Sequence, residues 1–253
     1  ARRSMQPAPF SGTRFSLLHY AELASTNDEA RRLAVEEHAP HFTVVAADRQ
    51  SAGRGRRGRA WQSHPGNLAF SLLVRPDAPP MRCAWISLVA AIALGDAVVA
   101  LVPGQGRVLH KWPNDILIDG RKLSGLLLES HAGPERVDWM VIGCGLNVAW
   151  HPEEAERPAT SLKAVGVEID KAALLQDILA CFEIRYREWQ AGATEALRQA
   201  WLARAAGLGK PITVRLPNSE LDGTFADLDA SGALVLAQLD GTRRTITAGD
   251  VFI

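Results

Sequence analysis

The chain is short of cysteine and has no net charge. Its three cysteines, Cys83, Cys144 and Cys181, stand far apart with no C-x-x-C pair, which argues against a disulfide framework or a zinc knuckle. Twenty-eight basic residues are cancelled by 28 acidic ones, so net charge supplies no argument for a nucleic acid or a membrane as partner. No repeat of fixed period and no low-complexity tract interrupts the 253 residues. That length suits one large domain, or one large and one small, each with a real core. The most apolar stretch, residues 83–102, is broken by Ser87 and Asp96 and closed by Pro103, and it reads as a buried helix rather than a bilayer span. Residues 1–14 lack the apolar run of a signal peptide and read as a loose leader. These absences point to a cytoplasmic globular protein.

What is present changes grammar near residue 207. Over residues 15–206, strand-like runs at 42–47, 68–74 and 140–148 mix with helical patterns at 27–37, 83–101 and 171–190, the mark of a domain built from both. Leu68, Phe70, Leu72 and Val74 alternate with small or polar residues, which predicts a sheet with one buried face. Asp119-Gly120 lies between two apolar triplets and predicts a hairpin, because glycine accepts positive φ. From 207 to 253 short strands are expected at 212–216, 223–227, 233–238 and 244–247, with turns at Pro217-Asn218 and Asp240-Gly241. That spacing predicts a small β-barrel.

Five segments could carry chemistry. Arg49 to Arg59, RQSAGRGRRGR, packs five arginines and three glycines into eleven residues with no acid. Such density implies an anionic visitor, and the glycines let backbone N–H groups approach it. A phosphate-gripping loop, a solvated loop and an RNA-binding segment all fit. KWPND, Lys111 to Asp115, could present one ammonium rigidly to a phosphoryl group, or could be a simple turn. Gly120 to Gly125, GRKLSG, precedes Glu129. Gly143 and Gly145 share one face of a strand, where a flat ligand could lie or where packing is merely tight; no third glycine makes them a dinucleotide fingerprint. Ser25 to Glu29 opens a helix, with Ser25 and Asp28 or Thr26 and Glu29 as a capping box that could also face a ligand.

Taken in order, STN, the GRGRRGR loop with its following tryptophan, KWPND, GRKLSG and GxGxN resemble the biotin protein ligases, from about Ser25 to the last residues. The resemblance implies an α+β fold: a mixed, largely antiparallel sheet flanked by helices, with a small C-terminal SH3-like β-barrel. It implies a biotin site at Ser25, Thr26, Asn27, Gln50, Gly53, Arg54, Trp61, Lys111, Gly125 and Gly143. It implies a nucleotide site at Arg54, Arg56, Arg57, Arg59, Trp61, Asn114, Lys122, Gly145 and Asn147, with Lys111 and Arg56 as the catalytic cations. ATP and biotin would be the substrates, with Mg²⁺ on the ATP phosphates and no direct protein ligand to it. The partner would be a biotin carboxyl carrier domain of acetyl-CoA carboxylase or a related carboxylase, and the enzyme a monomer or homodimer.

Two features depart from the family pattern. About two dozen residues precede Ser25, too few for a helix-turn-helix domain, so a ligase without repressor activity is expected. Cys144 stands where a branched aliphatic residue is usual. Two rivals are a lipoate or octanoate ligase or transferase, which shares the fold, and a nucleic-acid-binding module using the Arg/Gly loop, which the even net charge disfavours.

Overall fold

The computed structural model describes residues 8–9, 13–104, 106–155 and 157–253. Of the expected leader, residues 1–7 and 10–12 lie outside the described residues, while Ala8–Pro9 forms a two-residue edge strand, β1. The chain continues through β2 (Ser16–Leu23), α1 (Thr26–Glu36), β3 (Thr43–Gln50), β4 (Leu68–Val74), α2 (Pro80–Cys83) and α3 (Ile86–Leu101). Next come β5 (Val108–Lys111), β6 (Asp115–Ile118), β7 (Arg121–Ala132), β8 (Val137–Leu146), α4 (Lys171–Gln190) and α5 (Thr194–Leu202). Five short strands close it: β9 (Pro211–Arg215), β10 (Glu220–Leu228), β11 (Leu234–Ala237), β12 (Arg243–Ile246) and β13 (Asp250–Phe252).

The first eight strands make one sheet in the order β1-β2-β3-β4-β8-β7-β6-β5. β2 and β3 run parallel because α1 carries the chain across one face between them. The other neighbours are antiparallel. The Asp119-Gly120 turn joins β6 to β7 with φ of 50° and 74°, the backbone a two-residue hairpin favours. Helices α3, α4 and α5 cover the second face.

The alternation in β4 does not mark a half-exposed strand: all seven of its residues are buried. Its large residues pack in the main core under α3 and α4, while Leu73 joins the smaller core beneath α1. Its small residues, Ala69 and Ser71, instead leave room on the α1 side. The helix expected over residues 83–101 is broken at Ala84-Trp85 into α2 and α3. Pro80–Leu101 is long and apolar enough to cross a membrane by composition, but two thirds of its window, 67%, is buried inside the protein. It serves as the central core helix, packed on α4, α5 and β5.

The last five strands form an antiparallel sheet ordered β12-β11-β10-β9-β13. α5 and β13 are additional to the elements expected from sequence: α5 is amphipathic but only nine residues long, and β13 has three residues. Two indoles tie this sheet to the larger part: Trp85 Nε1 donates to Ala230 O at 2.8 Å and Trp112 Nε1 to Gly232 O at 3.2 Å.

Candidate active site

Ser25 caps α1, its Oγ accepting from the Asp28 amide at 3.4 Å, which is the serine half of the first of the two capping boxes. Glu29 is taken instead by Tyr20 and Arg32. The first turn of α1 meets the β4–β8 strip in a dense polar layer. Gln50 Oε1 accepts from both Thr26 N, at 2.9 Å, and Thr26 Oγ1, at 3.1 Å. Ser71 Oγ donates to Asn27 Oδ1 at 2.6 Å, and Asn27 Nδ2 donates to Glu129 Oε2 at 2.8 Å. Ser25, Thr26, Asn27 and Ser71 are all buried. Buried polar groups of this kind persist only when paired, and pairing fixes their rotamers.

The glycines make room for protein side chains as well as for a ligand. A Cβ on Gly143 would overlap the Asn27 amide, and one on Gly145 would lie 2.6 Å from Trp61 Cζ2. Both positions face the cavity side of β8, so Asn27 and Trp61 can lie directly against the strand. Gly53 lies under Trp61, where a Cβ would come within 2.6 Å of Trp61 O.

The Arg/Gly loop folds back on itself through a Gly55 N to Arg59 O bond of 2.7 Å, with Arg57 and Gly58 at positive φ, 54° and 72°. It is held at two points. Arg54 donates to Asp28 at 2.6 Å and to Glu129 at 3.2 Å. Arg57 and Arg59 reach Asp250 of β13 at 3.2 and 3.0 Å, and Arg56 lies 3.8 Å from it. Arg56 also donates to Asn114 Oδ1 and Gly249 O, both at 3.3 Å. Burial alone would push the Asp250 carboxyl up, but Arg59, Arg57, Arg157 and Arg56 together hold it below the usual carboxylate range. Burial lowers Arg56.

The two lysines differ in placement. Lys111 is buried and does not line the cavity described below. Its ammonium is lowered to about 8, first by burial and then by Arg157, against Asp115 and Asp250. Lys122 does line the cavity, 2.7 Å from Asp115 Oδ1 and 5.7 Å from the centre of the Trp61 ring. The cause is a bulge: β6 and β7 pair Ile116 with Ser124 but Leu117 with Lys122. The extra residue, Leu123, turns Lys122 to the same side as Gly125, where a Cβ would lie 3.2 Å from its Nζ. Of the two lysines, Lys122 lines the cavity and Lys111, the one expected to touch the reacting groups, does not.

These groups surround one cavity of about 390 Å³. Ser25, Thr26, Asn27, Gln50 and Gly143 line its uncharged end, with Trp61, Gly125 and Gly145 along the wall. Arg54, Arg56, Arg59, Asn114, Lys122, Asn147, Glu154 and Arg157 are among the residues that line the rest. Gly53, Arg57 and Lys111 support it without lining it. Asn147 is held by donating from Nδ2 to Thr160 O at 3.0 Å. Sequence reasoning missed Ser71, Glu129, Asp250 and Arg157 as parts of the site. No motif frames the last two: folding brings Arg157 to the cavity and Asp250 to the arginine loop. Cys144 lies on the opposite face of β8 from the glycines, beside Ser124.

Residues 22–147 match the biotin/lipoate A/B protein ligase family, and residues 207–253 match the biotin protein ligase C terminal domain. A biotin–[acetyl-CoA-carboxylase] ligase of Paracoccus denitrificans is 39% identical over 92% of this chain and 98% of its own. The chain belongs to the biotin protein ligase family. A bifunctional ligase/repressor, BirA, of Bacillus subtilis is 37% identical over 92% of this chain and 72% of its own. The biotin protein ligase of Aquifex aeolicus, solved with biotin and ATP, superposes with a TM-score of 0.78 at 25% identity, covering 95% of this chain and 98% of that one. Membership in the biotin protein ligases accounts for a glycine-lined cavity roofed by an arginine loop.

Proposed function

We propose that the protein activates biotin with MgATP to biotinyl-5′-AMP and transfers the biotin to one lysine of a biotin carboxyl carrier domain. The observation that carries this reading is a single cavity with two unlike ends. The hydrogen-bonding layer of buried Ser25, Thr26 and Asn27 with half-buried Gln50 suits an uncharged ureido ring. The cationic end, with Arg56 and Lys122, suits a nucleotide phosphate.

In the first half-reaction the biotin carboxylate attacks the α-phosphorus and pyrophosphate leaves. Two anions must touch, so the barrier falls only if fixed cations face the charge that builds up. Lys122 and Arg56 fill that role, and Lys111 adds positive potential from behind the strand. Mg²⁺ would be carried on the nucleotide phosphates. When bound there, it offsets charge on the phosphate oxygens. In the second half-reaction the carrier amine attacks the acyl carbon and AMP leaves. No protein thiol is required, and burial pushes the Cys144 thiol up to about 12. The loop, held to Asp250, shields the hydrolysable anhydride.

The catalytic part spans residues 15–206, and residues 207–253 form an SH3-like barrel, a reading supported by the five antiparallel strands. The test is to incubate the protein with MgATP, a carrier domain and biotin, lipoate or octanoate in parallel. A mass increase on one carrier lysine with biotin alone is expected; preference for either fatty acid overturns the reading.

A further inference from the structure

One cation in the cavity belongs to none of the motifs. Arg157 sits in the irregular segment between β8 and α4, and its side chain lines the cavity. Its Nε and Nη2 are buried and find no hydrogen-bond partner among the described residues. A guanidinium is always charged, and buried donors without acceptors are costly. The three loop arginines near Asp250 are in a different position, since each lies within 3.0 to 3.8 Å of that carboxylate. Arg157 feels Asp250 electrostatically but donates nothing to it from those two nitrogens.

Its position is nevertheless set. The guanidinium carbon lies 4.5 Å from the centre of the Phe252 ring, a ring that Arg215 also approaches, at 4.3 Å. Stacking on an aromatic face orients a guanidinium without using its in-plane donors. After burial, Arg157 is also the charge that lowers the Lys111 ammonium most. This places it toward the end of the cavity where Lys111, Asp250 and the arginine loop converge, away from the Ser25–Gln50 layer. Two free, coplanar donors held beside other cations fit a non-reacting phosphate oxygen pair.

We infer that Arg157 holds the β- and γ-phosphates of the nucleotide, the part that leaves as pyrophosphate, and is a positioning residue for adenylation alone. The inference rests on the ligase reading above. Once pyrophosphate has gone, the adenylate carries only the α-phosphate, so Arg157 has no part in the transfer to the carrier. Phe252 would then act through Arg157 by fixing its plane.

The experiment separates the half-reactions. Adenylation is read as biotin-dependent ATP–pyrophosphate exchange, and transfer as carrier modification from purified biotinyl-5′-AMP. In Arg157→Ala, kcat/KM for MgATP in exchange should fall about 10- to 100-fold, the loss of charge-assisted hydrogen bonds, with KM for biotin and the transfer rate unchanged. Arg157→Lys should recover part of the loss, and Phe252→Ala should reproduce part of it. Unaltered exchange in Arg157→Ala, or an equal fall in exchange and transfer, overturns the assignment. A wild-type protein that shows no biotin-dependent exchange would instead overturn the ligase reading itself.

Discussion

Lys111 and Lys122 both stand near the reacting end of the cavity, and their surroundings assign them different work. Lys122 reaches the cavity and is steadied by Asp115 at 2.7 Å, so it can meet charge as it develops. Lys111 is buried away from the cavity lining, and in the proposed reaction it acts through its field. Lys122→Ala should therefore lower biotin-dependent pyrophosphate exchange about 100-fold or more, the scale of losing one fixed electrostatic partner, and Lys111→Ala should cost less. The reverse order, measured side by side, would return the direct role to Lys111. A pH signature follows from the Lys111 ammonium, lowered to about 8. Its useful form is the charged one, which is lost as pH rises through that value. Accordingly kcat/KM for MgATP should decline above about pH 8, and Lys111→Ala should lack that limb.

At the level of elements, α3 and β5 meet at an unusually close point. A Cβ on Gly95 of α3 would overlap His110 Nε2 and lie 3.1 Å from its Cδ2. Alanine is the better helix former by about 1 kcal/mol, but overpacking a core costs about 1 to 3 kcal/mol. Gly95→Ala should therefore lower stability in urea unfolding; a rise would mean the ring can move aside. His110 itself is buried, its Nε2 has no partner among the described residues, and burial lowers it from 6.5 to about 4. The folded protein keeps it neutral while the unfolded chain takes up a proton. This contribution is full above the unfolded value of 6.5 and is lost as pH falls toward about 4. The loss amounts to about 3 kcal/mol when complete. His41 is lowered to about 4 as well and adds in the same direction. Urea unfolding at pH 7 and 4.5 should show a smaller acid loss for His110→Leu than for the wild type.

At the level of the whole molecule, the C-terminal sheet reaches the active site through Asp250, the carboxylate shared by Arg56, Arg57 and Arg59. Asp250→Asn removes the charge that gathers three like-charged side chains, and the loop should open. Adenylate should then escape and label bystander lysines, raising diffuse biotinylation about tenfold, as expected for about 1.4 kcal/mol of lost closure. Labelling confined to the carrier would show that Asp250 does not hold the loop. The motifs around this site were legible because each is local: a capping serine, an arginine-glycine run, an Asp-Gly hairpin turn and paired glycines in a strand. So were α4, which runs over Lys171–Gln190 as its periodicity predicts, and the extent of β4. Sequence by itself determined the family and the kinds of groups that line the cavity. Tertiary structure alone decided which lysine enters the cavity, since a single bulged residue in β7 reverses the face of every side chain beyond it. It also decided that Arg157 lines the cavity beside Phe252 and that Asp250 meets the arginine loop. Their contacts join segments about a hundred or more residues apart, and no local pattern in a chain encodes a meeting of that kind.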